Sequence, residues 1–499
     1  MSETPTAADY RGQADALSIR GQAFIGGDFV DSASGATFDC VSPIDGRVLA
    51  PVAACDGEDV DRAVAAARGA FEEGAWAGMA PARRKRTLAR FADLMSSHRG
   101  ELALLETLDM GKPIRYAQAV DIAGAANCIR WYAEAIDKLY DEVAPTDPSA
   151  LALLTREPVG VVAAVVPWNF PLLIACWKLG PALAAGNSVV LKPAEQSPLS
   201  AIRIAELAAE AGIPDGVLNV LPGYGEAAGQ ALGRHMDVDC VAFTGSTEVG
   251  KLFLRYASES NMKQVSLECG GKSPNIVMAD APDLDAAAKA AAFGVYFNQG
   301  EVCNAGSRLL VAESIKDEFV DKVMAVGRRL QPGDPLDPKT HMGAMVDAAQ
   351  TERVMSYIEA GRGEGAELRM GGRRAREDSG GCYIEPTLFD GVANSMTIAR
   401  EEIFGPVLSA IAFKDAEEAL AIGNDTIYGL AAAVWTRDIG TAHRMARRLR
   451  AGTVWVNTYD AVDISTPFGG YKQSGFGRDR SLHAFEKYTQ LKTTWINLR

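Results

Sequence analysis

Cys303 lies in a segment whose composition suits a reactive thiol. Residues 297–308 end a predicted helix, are rich in glycine and small polar residues, and lead into a predicted strand. A cysteine in such a loop is more exposed than one in a core, and a helical turn that follows it could lower the thiol pKa. Most cysteines are buried structural residues. From this segment alone, a nucleophile and a structural thiol are equally supported.

Two side chains that follow predicted strands suit acyl chemistry. Glu268 comes after the predicted strand 264–267 and before two glycines, so its carboxylate can face a cleft as a general base. Asn169 lies in a turn that Pro167 and Pro171 hold rigid, and its amide can donate to a developing oxyanion. Taken singly, an exposed loop carboxylate and an ordinary turn asparagine remain the alternatives.

Three segments could hold a nucleotide. Residues 223–228 fit the pattern GxGxxA, but no clear acidic residue closes a strand about 20 positions later. Residues 245–251 nearly match a P-loop, but Leu252 replaces the required Ser or Thr, which argues against a kinase or ATPase. A plain turn and a helix N-terminus facing a pyrophosphate are equally supported there. Lys192 and Glu195 either hold ribose hydroxyls or form a surface ion pair.

The composition argues against several classes of protein. With 499 residues the chain exceeds the roughly 250–300 residues of one core, so we expect two large domains and a small third element. The net charge of −14 argues against nucleic-acid binding. The eight cysteines lack CxxC spacing and the five histidines form no HExxH motif, so no metal site is expected. Residues 1–20 contain no apolar leader, which favours a cytoplasmic protein with reduced thiols.

The apolar stretch 159–177 is interrupted by Pro167, Asn169 and Pro171, so we expect buried core rather than a membrane span. From about residue 150, Val/Ile-rich runs alternate with helical periodicity, which predicts βαβ units and a parallel sheet. The predicted strands of this region are 161–166, 188–191, 217–221, 240–243 and 264–267, and the predicted helices are 178–183, 200–211, 227–232 and 249–257.

A second α/β block is predicted from about residue 271 to 473, opening with an Ala-rich helix over 284–297. Its predicted strands are 307–311, 407–413, 431–435 and 453–456. At the N-terminus, residues 1–20 are expected to be a loosely held arm and 23–38 a hairpin. The tail 488–498 alternates like a strand and would be an exposed edge, so we expect it to pair with another subunit.

Together these segments resemble the motifs of the aldehyde dehydrogenase superfamily, from about residue 20 to the end. Their order and spacing match for PWNFP, KPAE, FTGSTEVG, ExGGKSPNIV, FNQGEVCNAGSR, EEIFGPV and PFGGYKQSGFGR. The resemblance implies an α/β aldehyde dehydrogenase fold. It would comprise a Rossmann-like NAD domain (1–138 and 160–270), an α/β catalytic domain (271–473) and a small β oligomerisation element (139–159 and 474–499). A homodimer or homotetramer is expected, with no nucleic acid or membrane partner.

The resemblance also implies catalytic roles. Cys303 matches the thiolate that attacks the aldehyde, and the side chain of Asn169 and the backbone N–H of Cys303 match the groups that hold the oxyanion. Glu268 matches the base that activates water to hydrolyse the thioester. Lys178 matches a lysine that supports the site and helps proton movement. A CoA-acylating enzyme is the alternative reaction, which Glu268 argues against because that base serves hydrolysis. A non-catalytic family member is the other alternative.

For the cofactor, the resemblance implies NAD, with NADP as the weaker choice. A carboxylate at Glu195 would accept a hydrogen bond from the ribose 2′-hydroxyl but repel a 2′-phosphate. Lys192 and Glu195 match the groups on the adenosine ribose and Glu402 those on the nicotinamide ribose. The expected cofactor-binding residues are Val166, Pro167, Trp168, Lys192, Glu195, Gly225, Gly229, Phe243, Gly245, Ser246, Gly270, Glu402 and Phe404.

The substrate is the least defined part of the resemblance. Segments 131–137 and 481–487 are similar to bacterial enzymes that oxidise γ-glutamyl-γ-aminobutyraldehyde, 4-guanidinobutyraldehyde and other ω-amino aldehydes of polyamine breakdown. Betaine aldehyde, 3-hydroxypropanal and simple alkanals are the alternatives. Cys269, where the family usually has leucine, is a departure. The expected substrate residues are the acidic Asp121, Asp460 and Asp463 at the entrance, the aromatic Phe170, Trp177 and Phe468, and Glu301.

Overall fold

The computed structural model describes residues 5–499. The first helix packs on the body of the protein, since Tyr10 and Ala14 are buried and Thr6 caps it. The prediction of a loose arm is therefore wrong for residues 7–15, and residues 1–4 lie outside the described part. This helix is α1 (Ala7–Asp15), and it is followed by strands β1 (Ala23–Ile25), β2 (Asp28–Val30), β3 (Thr37–Val41) and β4 (Val48–Ala53). The predicted hairpin is confirmed by the antiparallel pairing of β1 with β2.

A helical layer follows and leads to two strands that lie apart from the main sheets. The helices are α2 (Gly57–Glu72), α3 (Pro81–Ser97), α4 (Arg99–Met110), α5 (Ile114–Tyr116) and α6 (Ala123–Ala135), and the strands are β5 (Glu142–Ala144) and β6 (Ala150–Pro158). A wider π-helical turn, Ala117–Ile122, joins α5 to α6. Gly111 ends α4 in the left-handed conformation, with φ of 80°.

The predicted parallel sheet is present. Its elements are β7 (Val161–Val165), α7 (Pro171–Ala185), β8 (Ser188–Lys192), α8 (Leu199–Ala211), β9 (Leu218–Val220), α9 (Gln230–Arg234), β10 (Cys240–Gly245), α10 (Thr247–Ser258) and β11 (Gln264–Cys269). The strand order β11-β10-β7-β8-β9 is parallel throughout. The helix predicted at 227–232 is instead a π-helical turn, Gly225–Gly229, followed by α9. The stretch 159–177 is largely buried in β7 and α7, as expected.

The second block is a seven-stranded sheet, parallel except for its first strand. Its order is β14-β15-β16-β13-β12-β17-β18. The elements are β12 (Pro274–Val277), α11 (Leu284–Tyr296), β13 (Arg308–Ala312), α12 (Lys316–Gly327), α13 (Ala348–Gly363), β14 (Glu367–Met370), β15 (Thr387–Asp390), α14 (Thr397–Arg400), β16 (Val407–Phe413), α15 (Ala416–Asn424), β17 (Ala431–Trp435), α16 (Ile439–Arg448) and β18 (Thr453–Val456).

The C-terminal region returns to earlier parts of the chain through β19 (Gly475–Phe476) and β20 (Thr489–Asn497). β19 pairs antiparallel with β11, placing Gly475 opposite Glu268. β20 pairs antiparallel with β6 along its whole length. The tail is thus a strand, as predicted, but one of its edges is occupied by its own chain. Among the helices of residues 5–499, none combines the length and apolar character that crossing a membrane demands.

Candidate active site

Asn169 lies in the turn between β7 and α7, at the carboxyl end of a central parallel strand. Its side chain is buried, and Nδ2 donates to the carbonyl oxygen of Glu301 over 2.9 Å. The Asn169 carbonyl accepts from Lys112 Nζ and from Asn298 Nδ2, both over 3.0 Å. Because an amide carries two N–H groups, one remains for a ligand oxygen.

Cys303 follows a strained turn that connects α11 to β13. Asn298, Gln299 and Gly300 all have positive φ, between 48° and 76°. Such conformations are costly for residues other than glycine and persist where the surroundings hold them. The side chain of Asn298 bridges the carbonyls of Asn169 and Glu301, and this links the Cys303 loop to the Asn169 turn. Cys303 itself is half-buried, whereas six of the other seven cysteines are buried.

Glu268 is the penultimate residue of β11 and is buried. Its Oε1 has no hydrogen-bond partner within residues 5–499. Burial, followed by the nearby Asp479 carboxylate, raises the pKa of Glu268 to about 8. A carboxyl group with a pKa near neutrality can exchange protons during a reaction, as a general base must.

Lys178 of α7 belongs to a buried ionic group beside Glu268. Asp479 accepts hydrogen bonds from both Lys178 and Lys487. Burial raises the pKa of Asp479, but the two ammonium groups outweigh it and the net shift is downward. Burial lowers the pKa of Lys178 despite this partner. An ionised Asp479 therefore lies between two lysines, within electrostatic range of Glu268.

The surroundings of Cys303 favour the neutral form of its thiol. Burial raises its pKa well above the usual value, and the carboxyl groups of Glu268, Glu402 and Asp460 add to the shift. The backbone N–H of Asn304 acts in the opposite direction, as the sequence suggested for a following turn, but it is outweighed. The net pKa of the thiol is therefore raised, contrary to the expectation of a lowered one. Cys303 must lose its proton before its sulfur can attack as a thiolate.

A cavity of about 330 Å³ opens beside Cys303 and Asn169. Its lining includes the predicted cofactor residues Pro167, Trp168, Gly245, Ser246, Gly270, Glu402 and Phe404. Ser246 caps α10, so the first N–H groups of a twelve-residue helix open next to the cavity and favour an anion. A Cβ atom at Gly270 would overlap the carboxylate of Glu402. These features fit a dinucleotide, with phosphates at the helix N-terminus.

Glu402 is fixed at this cavity by a hydrogen bond from the backbone N–H of Gly271 over 3.0 Å. Burial raises its pKa to about 7. The other predicted cofactor residues lie nearby but outside the lining. Lys192 approaches Glu195 to 3.5 Å, and a Cβ at Gly229 would lie 3.7 Å from the Lys192 side chain. Gly225 begins the turn that leads to Gly229. Val166 and Phe243 are buried core residues beneath the same strand ends.

The predicted substrate residues fall into two groups. Trp177 and Phe468 contact each other with ring centroids 5.5 Å apart and an interplanar angle of 58°, while Phe170 packs near Phe297 at 6.2 Å. Asp460 accepts a hydrogen bond from Asn304 Nδ2 over 2.7 Å and lies close enough to Cys303 to raise the pKa of the thiol. Asp460 therefore lies on the thiol side of the site.

Two substrate predictions need correction. Asp121 is fully buried and forms an ion pair with Lys112, so it presents no carboxylate at an entrance. Glu301 is also fully buried and accepts from the backbone N–H of Val346 over 3.0 Å, so its carboxylate is engaged inside the protein and not exposed to an entering substrate. Asp463 remains exposed, and its carboxylate accepts from Ser465.

Comparison with known proteins identifies the family. The profile described as the aldehyde dehydrogenase family matches residues 29–494. The chain belongs to the aldehyde dehydrogenase family. It is 57% identical over 491 residues to the NADP/NAD-dependent aldehyde dehydrogenase PuuC of Escherichia coli (strain K12), with 98% of each chain covered.

Solved structures of other aldehyde dehydrogenases agree closely with this fold. A variant of the indole-3-acetaldehyde dehydrogenase AldA of P. syringae, in complex with NAD+ and IAA, is 63% identical, with a TM-score of 0.99 over 99% of this chain and 100% of that one. The gamma-glutamyl-gamma-aminobutyraldehyde dehydrogenase of Burkholderia cenocepacia J2315 is 62% identical, with a TM-score of 0.98 and the same coverage. The protein is therefore an oxidoreductase of this family with its α/β fold.

Sequence reasoning missed four charged residues of this aldehyde dehydrogenase. Asp479 and Lys487 complete the ionic group around Lys178, and Lys112 contacts Asn169. Arg480 is buried, with its guanidinium 5.3 Å from the ring of Trp177 and 5.0 Å from that of Phe468. Of the four, only Lys112 directly follows a glycine, and no local pattern identifies the distant partners of these residues.

Proposed function

We propose that this protein oxidises an aldehyde to a carboxylic acid with NAD as the hydride acceptor. The observation that carries the proposal is the convergence of Cys303 and the second N–H of Asn169 beside a cavity suited to a dinucleotide. Glu268, whose Oε1 has no partner within residues 5–499, lies close enough to add to the rise in pKa that burial causes at the Cys303 thiol. These are the nucleophile, the oxyanion donor and the base that thioester chemistry requires. Bound NAD would supply a nicotinamide that accepts hydride.

The reaction begins at Cys303, whose thiol gives up its proton to water and so to solvent. Its thiolate sulfur attacks the aldehyde carbon, and the carbonyl π electrons move to oxygen, where Asn169 Nδ2 and the Cys303 backbone N–H donate to the oxyanion. As the carbonyl re-forms, hydride leaves the carbon and a thioester remains on Cys303. Glu268 then takes a proton from water, the hydroxide adds to the thioester, and the carbon–sulfur bond breaks to release the acid.

The buried ionic group of Lys178, Asp479 and Lys487 influences the protonation of Glu268. Lys178 and Lys487 both contact Asp479, and both lysines favour the ionised form of Glu268. We infer that Lys178 keeps Glu268 available as a base between turnovers and helps protons move within this buried group. This role follows from charge and contact, without direct reaction of Lys178 with the substrate.

The experiment that tests the reaction compares two half-buried thiols. Cys303→Ala should abolish NADH formation from NAD and aldehyde, whereas Cys382→Ala should retain it. A Cys303→Ala protein with normal turnover would exclude the proposal. Stoichiometric acyl-CoA formation in the presence of CoA would identify the CoA-acylating alternative instead.

We propose ω-amino, γ-glutamyl-amino or guanidino aldehydes as the substrate class. The support is the 62% identity to the enzyme named for gamma-glutamyl-gamma-aminobutyraldehyde and the polar pair Asp460 and Asn304 near Cys303. Comparison of kcat/KM across γ-glutamyl-aminobutyraldehyde, 4-guanidinobutyraldehyde, betaine aldehyde, 3-hydroxypropanal and alkanals tests it. A clear preference for alkanals would overturn it.

An arylacetaldehyde is the second candidate substrate. The apolar rings of Trp177 and Phe468, tilted by 58° to each other and both near the Arg480 guanidinium, favour contact with an aromatic group. The burial of Asp121 also removes one of the charges expected to attract a cationic tail. Including indole-3-acetaldehyde in the same kcat/KM series distinguishes the two classes.

We also propose the domain division and assembly that the sequence suggested. The NAD domain would comprise 1–138 and 160–270, the catalytic domain 271–473, and the oligomerisation element 139–159 with 474–499. The separate eight-stranded and seven-stranded sheets and the pairing of β20 with β6 support this division. A cytoplasmic homodimer or homotetramer that prefers NAD to NADP is the expected form.

A further inference from the structure

Lys112 makes three contacts, two of them to the turn that contains Asn169 and Phe170. Its ammonium group pairs with Asp121 and donates to the carbonyl oxygen of Asn169 over 3.0 Å. It also lies 3.9 Å from the ring centroid of Phe170, the next residue in the turn. Both charged side chains are completely buried. The chain directs Lys112 inward immediately after Gly111 ends α4.

The same helix holds the far side of this turn. Glu106 of α4 accepts from the backbone N–H of Leu172 over 2.8 Å. The turn is therefore fixed at Asn169 by Lys112 and at Leu172 by Glu106. Asn298 provides the third contact, from the Cys303 loop. The peptide that carries the Asn169 side chain has little freedom to rotate.

Stability alone does not account for a fully buried ion pair here. Removing two charges from water costs free energy that their attraction often fails to recover, and neutral replacements of such pairs often leave stability unchanged or higher. Asp121 Oδ2 has no hydrogen-bond partner within the described chain. Burial raises the pKa of three further carboxyl groups, and the Lys112 ammonium opposes that rise at each of them: Glu106, Asp109 and Glu301. Among its contacts, the one to the Asn169 carbonyl reaches the residue whose side chain is the proposed oxyanion donor.

We propose that Lys112, held in place by Asp121, is a positioning residue that aims the Asn169 amide at the oxyanion. This inference rests on the proposed function. Two of the three N–H groups of the Lys112 ammonium are used on Asp121 and on the Asn169 carbonyl, and its proposed role involves no direct contact with the substrate. Its effect reaches the substrate through the orientation of one peptide and the side chain attached to it.

The test replaces the pair by neutral side chains of similar size. Lys112→Met/Asp121→Asn should lower the rate of the first NADH burst about 10- to 100-fold, because a small misplacement of a catalytic group has effects of this order. The dissociation constant for NAD should not change. Lys112→Gln/Asp121→Asn keeps a donor without a charge and should recover part of the burst rate. Lys85→Met/Asp137→Asn, at a solvent-exposed pair, is the matched control.

A double-mutant cycle with Asn169→Ala separates positioning from a general structural role. If Lys112 acts through Asn169, adding the neutral pair to Asn169→Ala should cause no further loss of burst rate. Multiplicative losses, or a wild-type burst rate in the neutral pair variant, would overturn the inference. Should the Met/Asn variant fail to fold, the same cycle with the Gln/Asn variant decides.

The outcome also distinguishes failure of this inference from failure of the proposed function. An impaired Asn169→Ala enzyme with an unimpaired pair variant removes only the role of Lys112. A fully active Asn169→Ala enzyme removes the oxyanion role of Asn169 and this inference with it. Persistent activity of Cys303→Ala would remove the proposed reaction itself.

Discussion

Glu268 couples the reaction to pH. Its pKa is raised to about 8 by burial and by Asp479, and a general base acts only when deprotonated. Where hydrolysis of the thioester limits turnover, kcat should therefore rise with pH up to about 8 and then level off. Glu268→Gln should lower steady-state turnover at least about 100-fold, the scale of general-base catalysis, while the first burst of NADH persists.

Stopped-flow and steady-state absorbance of NADH measure the two phases separately. Glu486→Gln, an exposed carboxyl near the C-terminus, should keep the wild-type pH profile and serves as the control. A variant at Glu268 that loses the burst but retains the pH dependence of turnover would contradict the assignment.

Glu195 should set the choice between NAD and NADP. Its half-buried carboxylate lies 3.5 Å from Lys192 and would repel a 2′-phosphate by roughly 1–4 kcal/mol at such short range. Glu195→Gln should therefore raise the ratio of kcat/KM for NADP over NAD about tenfold or more. Glu206→Gln, on the exposed face of α8, should leave the ratio unchanged. An unchanged ratio in Glu195→Gln would place cofactor selection elsewhere.

At the scale of elements, the turn before Cys303 depends on Gly300. This residue has φ of 76°, and a Cβ there would overlap the carbonyl of Gly405 and lie 2.6 Å from Pro406 N. Gly300→Ala should reduce the free energy of unfolding by about 2–5 kcal/mol, combining left-handed strain with overpacking, and should suppress the burst. Denaturant unfolding measures the first effect.

Gly12→Ala is the matched control for this substitution. Gly12 lies within α1 with open space around its Cα. Alanine favours a helix over glycine by about 1 kcal/mol, so this variant should be as stable as the wild type or more so. Equal stability of the two alanine variants would mean that the Cys303 loop tolerates a different backbone path.

Elements of regular periodicity were predictable, whereas side-chain direction was not. The parallel strands of the first sheet were predicted because each is a short β-branched run between helical segments. The buried positions of Asp121 and Glu301 could not be read from local pattern, because their partners Lys112 and Val346 are chosen by tertiary packing. The roles of the residues near Cys303 were inferred from the family resemblance. Asp479 lies 301 positions from its partner Lys178, and no local sequence pattern indicates that the two are in contact.

At the scale of the whole molecule, β20 presents a surface suited to assembly. It pairs with β6 on one edge, and Leu491, Trp495 and Leu498 remain exposed. Exposed apolar side chains on an edge strand favour contact with another protein surface. Under the proposed homo-oligomeric assembly, a chain ending at Tyr488 should therefore have the mass of a monomer, which light scattering measures. Trp495→Lys, with the strand intact, should weaken assembly without removing β20.

Retention of the full mass by the shortened chain would place the subunit contacts elsewhere. Lys492→Ala, on the same strand but paired with Glu157 at its surface, should keep the wild-type mass and is the control.

The pairing of β19 with β11 has a consequence for the order of biosynthesis. Glu268 and its neighbour Gly475 are separated by 207 residues (475 − 268). At about 5–20 residues per second, the ribosome would add Gly475 about 10–40 seconds after Glu268. During that interval the nascent chain exposes the β11 edge without β19, Asp479 or Lys487. Nascent chains stalled before residue 475 should therefore bind chaperones that recognise unpaired strands, and release should follow completion of the C-terminal segment.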